Sequence, residues 1–169
     1  MSSIPEVWLT GPVPGVPALL QPAAHALLQA RAEVVAIAPT LSSAKLWQAH
    51  DAATAGFHLL HMAGSLDRLF TYARGEMLSD AQKAAAKAEA EAHPQLDGKA
   101  LAARVEAAID RAIDQLRATD PGTLTQERKV GRAGLPTTVI GALFHGAEHT
   151  ARHAGQFITT VKLSGAGAN

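Results

Sequence analysis

"PTTVIGALFHGAEHTARHAGQFITTVKL", residues 136–163, is the stretch whose reading decides the fold. Pro136 suits the first turn of a helix, where a missing N–H is harmless, and the run behind it predicts a helix to about Leu163. At about 100° per residue, Ile140, Phe144, Ala147, Ala151, Ala154, Ile158 and Val161 form one apolar stripe that should face a core. Ala142, His145, Gly146, His149, His153, Gln156 and Thr160 occupy the other side. That side is nearly free of formal charge, although an amphipathic helix usually turns charge to water. It implies a second contact, either an internal site or a partner.

Working outward from this helix, alanine-rich segments alternate with short Gly/Pro/Thr punctuation, and no run combines period-two alternation with β-branched residues. A first helix is expected within Val16 to Ile37, with Leu20, Ala24, Leu27, Val34 and Ala38 on one stripe and Pro22 starting or bending its regular part. Leu41 to Trp47 suits a single turn in the connection. A second helix, about Ala55 to Arg74, carries Leu59, Met62, Ala63, Leu66, Leu69, Phe70 and Ala73 at helical spacing, and Gly75 ends it. Ser79 with Gln82 forms a capping box for a minor helix to about Glu91. After Pro94 and Gly98, a helix from near Lys99 presents Leu101, Val105, Ala108, Ile109, Ala112, Ile113 and Leu116. Residues 119–135 read as a surface connection and the tail from Ser164 as frayed. The expectation is an all-α protein, a four-helix bundle with one additional short helix, forming a single domain over residues 1–169.

Composition narrows the function. Lys plus Arg and Asp plus Glu number 15 each, for a formal net charge of zero, so no net field recruits nucleic acid or an anionic membrane. Val7 to Ala30 lacks any formal charge, but Pro12, Pro14, Pro17 and Pro22 argue against a membrane span. The opening MSSIPEVWL lacks the basic n-region and compact apolar h-region of a secretory signal, which makes a cytoplasmic location the expectation. With no cysteine in the chain, there is no disulfide, thiolate ligand or cysteine nucleophile, and any thiol chemistry must use an external sulfur.

Histidine is the residue type that stands out, at eight in the chain. His145, His149 and His153 follow one another at four-residue steps, and histidines at i and i+4 project the same way, so that two can hold one metal. A second cluster, "GFHLLHMAGSLDR", supplies His58 and His61, either of which can complete a three-histidine set. On the helical projection His58 borders the Leu59/Met62/Leu66 stripe, whereas His61 lies well away from it beside Phe57, Ser65 and Arg68; periodicity alone mildly favours His58. Histidines also serve as hydrogen-bonded interior residues, so spacing leaves both readings open. Without a metal, the His/Ala/Gly face becomes a packing seam in a homodimer.

The pairing of "HMAGSLDRL" on an early helix with "HTARHAGQF" on the last resembles the DinB/YfiT-like family of four-helix-bundle metalloenzymes, over most of the chain to about Lys162. The resemblance implies a metal triad of His61, His149 and His153, overriding the lean towards His58. Gly155 and Gln156 match the Gly-Gln that follows the second downstream ligand, so Gln156 becomes a candidate to orient a ligand or bound water. Where the family often reads His-Arg-Gly-Gln, Ala154 replaces the Arg and removes a possible anion contact. His145 and His58 are placed as pocket or supporting residues, and His25 as a residue that the sequence cannot locate. His50 and His93 fall in connections, expected to be solvated.

Three neutral imidazoles favour Zn or Ni and leave coordination positions open. The family includes enzymes using small thiols, bacillithiol-dependent S-transferases and a mycothiol-dependent isomerase, which implies a low-molecular-weight thiol as co-substrate, a small-molecule substrate and a homodimer. The leading expectation is thus a metal-dependent thiol transferase or isomerase. Metal-assisted hydrolysis and a non-catalytic metal-binding stress-response module are the alternatives. Catalytic residues beyond the metal set stay unassigned: Asp67 and Glu148 are acid/base candidates by position, equally readable as surface charges.

Overall fold

Capping residues and prolines fix where each helix begins. The computed structural model describes residues 6–48 and 52–165; His50 and the end of the tail lie outside them. Pro22 sits in the first turn of α1 (Gln21–Ile37), and a 3-10 turn over Ala18–Leu20 replaces the earlier helical start expected from Val16. Four residues, Ser43–Leu46, make the single turn α2. Thr54 caps α3 (Ala55–Ala73) by accepting the Phe57 N–H. Ser79 and Gln82 close the reciprocal capping box of α4, Asp80–Ala88, which stops short of the expected Glu91. Asp97 caps α5, Gly98–Ala118.

The expected all-α class fits broadly, with one small addition. The chain is mostly helical but carries a two-stranded antiparallel sheet, β1 (Glu127–Val130) within the region read as a bare connection and β2 (Leu135–Thr138) across the expected start of the last helix. Gly131 and Gly134 adopt φ of 71° and 62°, the left-handed conformations that let the four-residue turn close. Pro136 lies in β2 opposite Lys129 rather than opening the last helix, a place a proline tolerates in a sheet made only of edges. Thr138 caps α6 (Val139–Leu163) instead, accepting the Gly141 N–H at 3.1 Å.

The four long helices share one apolar core. Within it, α3 packs on both α5 and α6, α1 packs on the same two, and the short α4 rests on α3. Every residue named above for the α5 stripe is buried, as are the five named for the first helix, of which Leu20 and Ala38 fall in the 3-10 turns flanking α1. α6 departs from its expected phase: Phe144 is 57 % exposed and Ala151 is exposed. Ala147, Ala154 and Val161 of the expected stripe are buried, but Leu143, Gly146, Thr150 and Phe157 from outside it are buried as well. The cause is that α6 touches two helices, so its buried face is broad and includes the histidine side. Thr150 can be fully buried because its hydroxyl donates to Gly146 O at 2.8 Å. Part of the uncharged face, including Ala142 and Gly146, thus makes an internal contact, whereas His145 and Gln156 on the same face are exposed. No helix among the described residues is long and apolar enough to cross a membrane.

This phase difference yields a stability test. Phe157→Ala empties a fully buried site and should cost about 3–5 kcal/mol, whereas Phe144→Ala should change stability by no more than about 0.5 kcal/mol. Urea unfolding of the two variants beside wild type measures both. Equal losses would restore the stripe read from periodicity.

Candidate metal centre

Two helices bring the centre together. His61 stands on the α3 face turned to α6, and α6 offers His149 and His153 one turn apart. One ring nitrogen from each of the three lies within 4.8 Å of the others. Ring centroids are separated by 5.1 Å for His61–His149, 4.6 Å for His61–His153 and 4.5 Å for His149–His153. Phe57, one turn before His61, stacks on its ring at 5.2 Å.

Behind this cluster lies a carboxylate that no local sequence signal exposed. Glu89, the residue that caps the C-terminus of α4, is only 7 % accessible. Its Oε2 accepts the His61 Nδ1–H at 2.8 Å and Arg68 Nη2 at 3.1 Å, while Oε1 accepts from Arg68 Nη1. Burial works to raise the Glu89 carboxyl, but the hydrogen bonds from His61 and Arg68 outweigh it and hold the group below the ordinary carboxylate range. With Nδ1 turned to Glu89, His61 presents Nε2 to the cluster, 2.9 Å from His149 Nε2. A carboxylate that fixes the tautomer of a histidine in this way is the usual support for a metal-binding imidazole.

His58 is also at the centre, though outside the three. It is buried, and its Nδ1 lies 3.0 Å from His153 Nδ1, so one of the two nitrogens carries the shared proton. Desolvation, reinforced by charge on His61, lowers the pKa of His58. Desolvation is also the leading cause for His149 and His153, followed for both by His61; His153 falls to about 4. At neutral pH these imidazoles are unprotonated, the form a metal requires. His149 Nδ1 is buried and meets no protein donor or acceptor among the described residues. With no protein group engaging that buried atom, and one nitrogen from each of three imidazoles converging, the donor set fits a divalent metal.

The remaining expected residues fall elsewhere. His145 is exposed, its Nδ1 3.4 Å from Glu148 Oε2, with its ring 5.4 Å from that of His149. Gln156 is exposed. Glu148 is bonded to Arg152, which holds its carboxyl low, and Asp67 accepts from Gln82 Nε2 at 2.7 Å. His25 is on α1, its Nε2 3.0 Å from Gly11 O, away from the cluster. His93 is partly buried rather than solvated, its Nε2 donating to Ala88 O at 2.8 Å. Glu89 and Arg68 are the supporting residues that sequence reasoning missed. Arg68 follows His61 by two turns on the same side of α3, and Gly64 between them was the available signal: a Cβ there would overlap Glu89 Oε1.

The architecture and the clustered histidines define a mainly helical protein compatible with metal binding. Residues 5–157 match the DinB superfamily, and the chain belongs to it. No curated protein matches the chain.

Two measurements probe this geometry. Alanine normally stabilises a helix interior relative to glycine by up to about 1 kcal/mol. Gly64→Ala should instead destabilise by about 1–3 kcal/mol, because Arg68 and His61 hold the Glu89 carboxylate in the space the methyl needs. A rise in urea midpoint would show that Glu89 is free to move. For pH, His58, His149 and His153 bind protons more readily unfolded, near pH 6.5, than folded, with His153 at about 4. Stability of the chelator-treated protein should thus be full above about pH 6.5 and fall as pH drops from there towards about 4. Urea midpoints at steps across that window, with His153→Asn showing a shallower fall, measure it; a flat profile would contradict it.

Proposed function

We propose that His61, His149 and His153 hold one divalent ion, with Zn or Ni best suited to three imidazoles, and that the protein is a metal-dependent enzyme acting on a small external thiol. The observation that carries the reading is the convergence of three ring nitrogens from two helices with a buried carboxylate behind one of them. The ring of contacts among α1, α5, α3 and α6 supports describing the scaffold as a four-helix bundle with the site on one seam.

When bound, such an ion supplies Lewis acidity that lowers the pKa of a thiol or water. The chain's own residues set the conditions. Glu89 takes the His61 Nδ1–H and turns Nε2 towards the cluster. Arg68 keeps Glu89 ionised, so the carboxylate remains an acceptor. His58 and His153 share one proton between their Nδ1 atoms, which limits rotation of the His153 ring. Phe57 covers one face of His61 and keeps water from it. The absence of cysteine supports a thiol brought from outside, since none of the chain's own competes for the ion.

Elemental analysis of untagged protein tests the reading. Wild type should carry about one Zn or Ni per chain after dialysis, and His61→Ala, His149→Ala and His153→Ala should lose it while the helical circular dichroism persists. Glu89→Gln should weaken metal affinity by about 10–100-fold. Turnover of an electrophile that needs both metal and an added small thiol would support the transferase assignment; turnover without thiol would replace it with hydrolysis. No metal in wild type, even after incubation with Zn or Ni, would overturn the proposal.

A further inference from the structure

We propose that a cleft between α3, α4 and α5 binds a small organic molecule with an apolar body and one acidic group. The cleft encloses about 670 Å³, the size of a small-molecule site. Leu60 and Ala63 of α3 and Ala85 and Ala88 of α4 give it an apolar surface, and Arg104 and Arg111 of α5 stand at its rim with Ala107 between them. It lies on a side of α3 distinct from the histidine cluster, with Glu89 as the wall common to both.

Its polar groups divide into committed and free. Glu89 is bound by Arg68 and His61, Asp67 accepts from Gln82 at 2.7 Å, and His93 donates to Ala88 O. Arg104 and Arg111, both exposed, make no hydrogen bond or ion pair with any described residue. Because Arg68 neutralises Glu89, two guanidiniums against the single carboxylate of Asp67 leave the cleft net positive. Seven residues apart on one helix, the two arginines are about 10.5 Å apart along its axis. Their long side chains can therefore close on one anionic group from either side. The four small or apolar residues beneath them suit an aromatic or aliphatic body rather than a bare inorganic anion. This inference does not depend on metal at the histidine cluster.

Fluorescence titration of the full chain with anilinonaphthalene sulfonate, an apolar body bearing one acid, tests it. Saturable binding to the folded protein is expected, weakened about tenfold or more in Arg104→Gln/Arg111→Gln and weakened by added salt. Trp8→Ala, in a separate apolar cleft beside α1, should leave the affinity unchanged. Uncharged phenylnaphthylamine should bind more weakly than the sulfonate. Both arginines are on the surface, and an unchanged thermal melt of the double variant shows that the fold is intact. No saturable binding, equal affinity in the double variant, or equal affinity for the uncharged probe would overturn the proposal.

Discussion

The contact between α3 and α6 is the constraint on which the rest of the structure depends. Gly146 lets the two helices approach: a Cβ there would stand 2.8 Å from the Phe70 ring. Below this crossing the seam is apolar, with Leu66, Phe70, Leu143 and Ala147 in the common core. Farther along the same seam, His61 meets His149 and His153. One packing decision therefore fixes both the core and the separation of the imidazoles. It also withdraws them from water, and desolvation is the largest cause of the lowered pKa values at His149 and His153.

Periodicity made most of the scaffold legible, because a helix packed on one or two neighbours writes its buried face as a 3.6-residue repeat. α5 is the clear case: its apolar residues fall on one stripe and all are buried. α6 misled because it has two buried faces. Its large apolar residues Ile140, Phe144 and Ile158 outline one direction, whereas the burial is carried partly by Gly146, Thr150 and small alanines that hydropathy weighs lightly. The hairpin escaped because its strands, ERKV and LPTT, are too short and too polar to show alternation and are held by turn glycines. The choice between His58 and His61 was likewise beyond periodicity. His58 is the more buried of the two, yet the geometry brings His61 into the three-nitrogen cluster.

Glu89 shows a deeper limit of one-dimensional reading. In the sequence it belongs to an alternating Ala/Glu run that resembles a solvated helix end, and nothing beside it marks it as different from Glu91. Its role follows only from where α4 stops. The helix ends at Ala88, and the next side chain turns under α3 into the space left by Gly64. A carboxylate so enclosed is tolerable only with charged and hydrogen-bonding partners, which Arg68 and His61 provide. Arg68 is itself only 15 % exposed: removal of Glu89 leaves its charge without a partner, and removal of Arg68 leaves the buried carboxylate with His61 alone.

The three imidazoles of the cluster are therefore not equivalent. His61 is oriented by an ionised carboxylate, whose hydrogen bond fixes the ring with Nε2 towards the cluster. His153 is oriented by the neutral ring of His58, a weaker partner because neither group carries charge. His149 has no described polar partner at Nδ1, and its Nε2 meets His61. On the proposed reading, His61 and His153 are the preorganised ligands and His149 is the one whose ring adjusts. Preorganising two ligands from two different helices fixes where an ion would sit, while the third adapts to its coordination preference. A site with two fixed ligands and one adjustable ligand would suit more than one divalent ion, because geometry and ligand type rather than raw affinity then decide which is held.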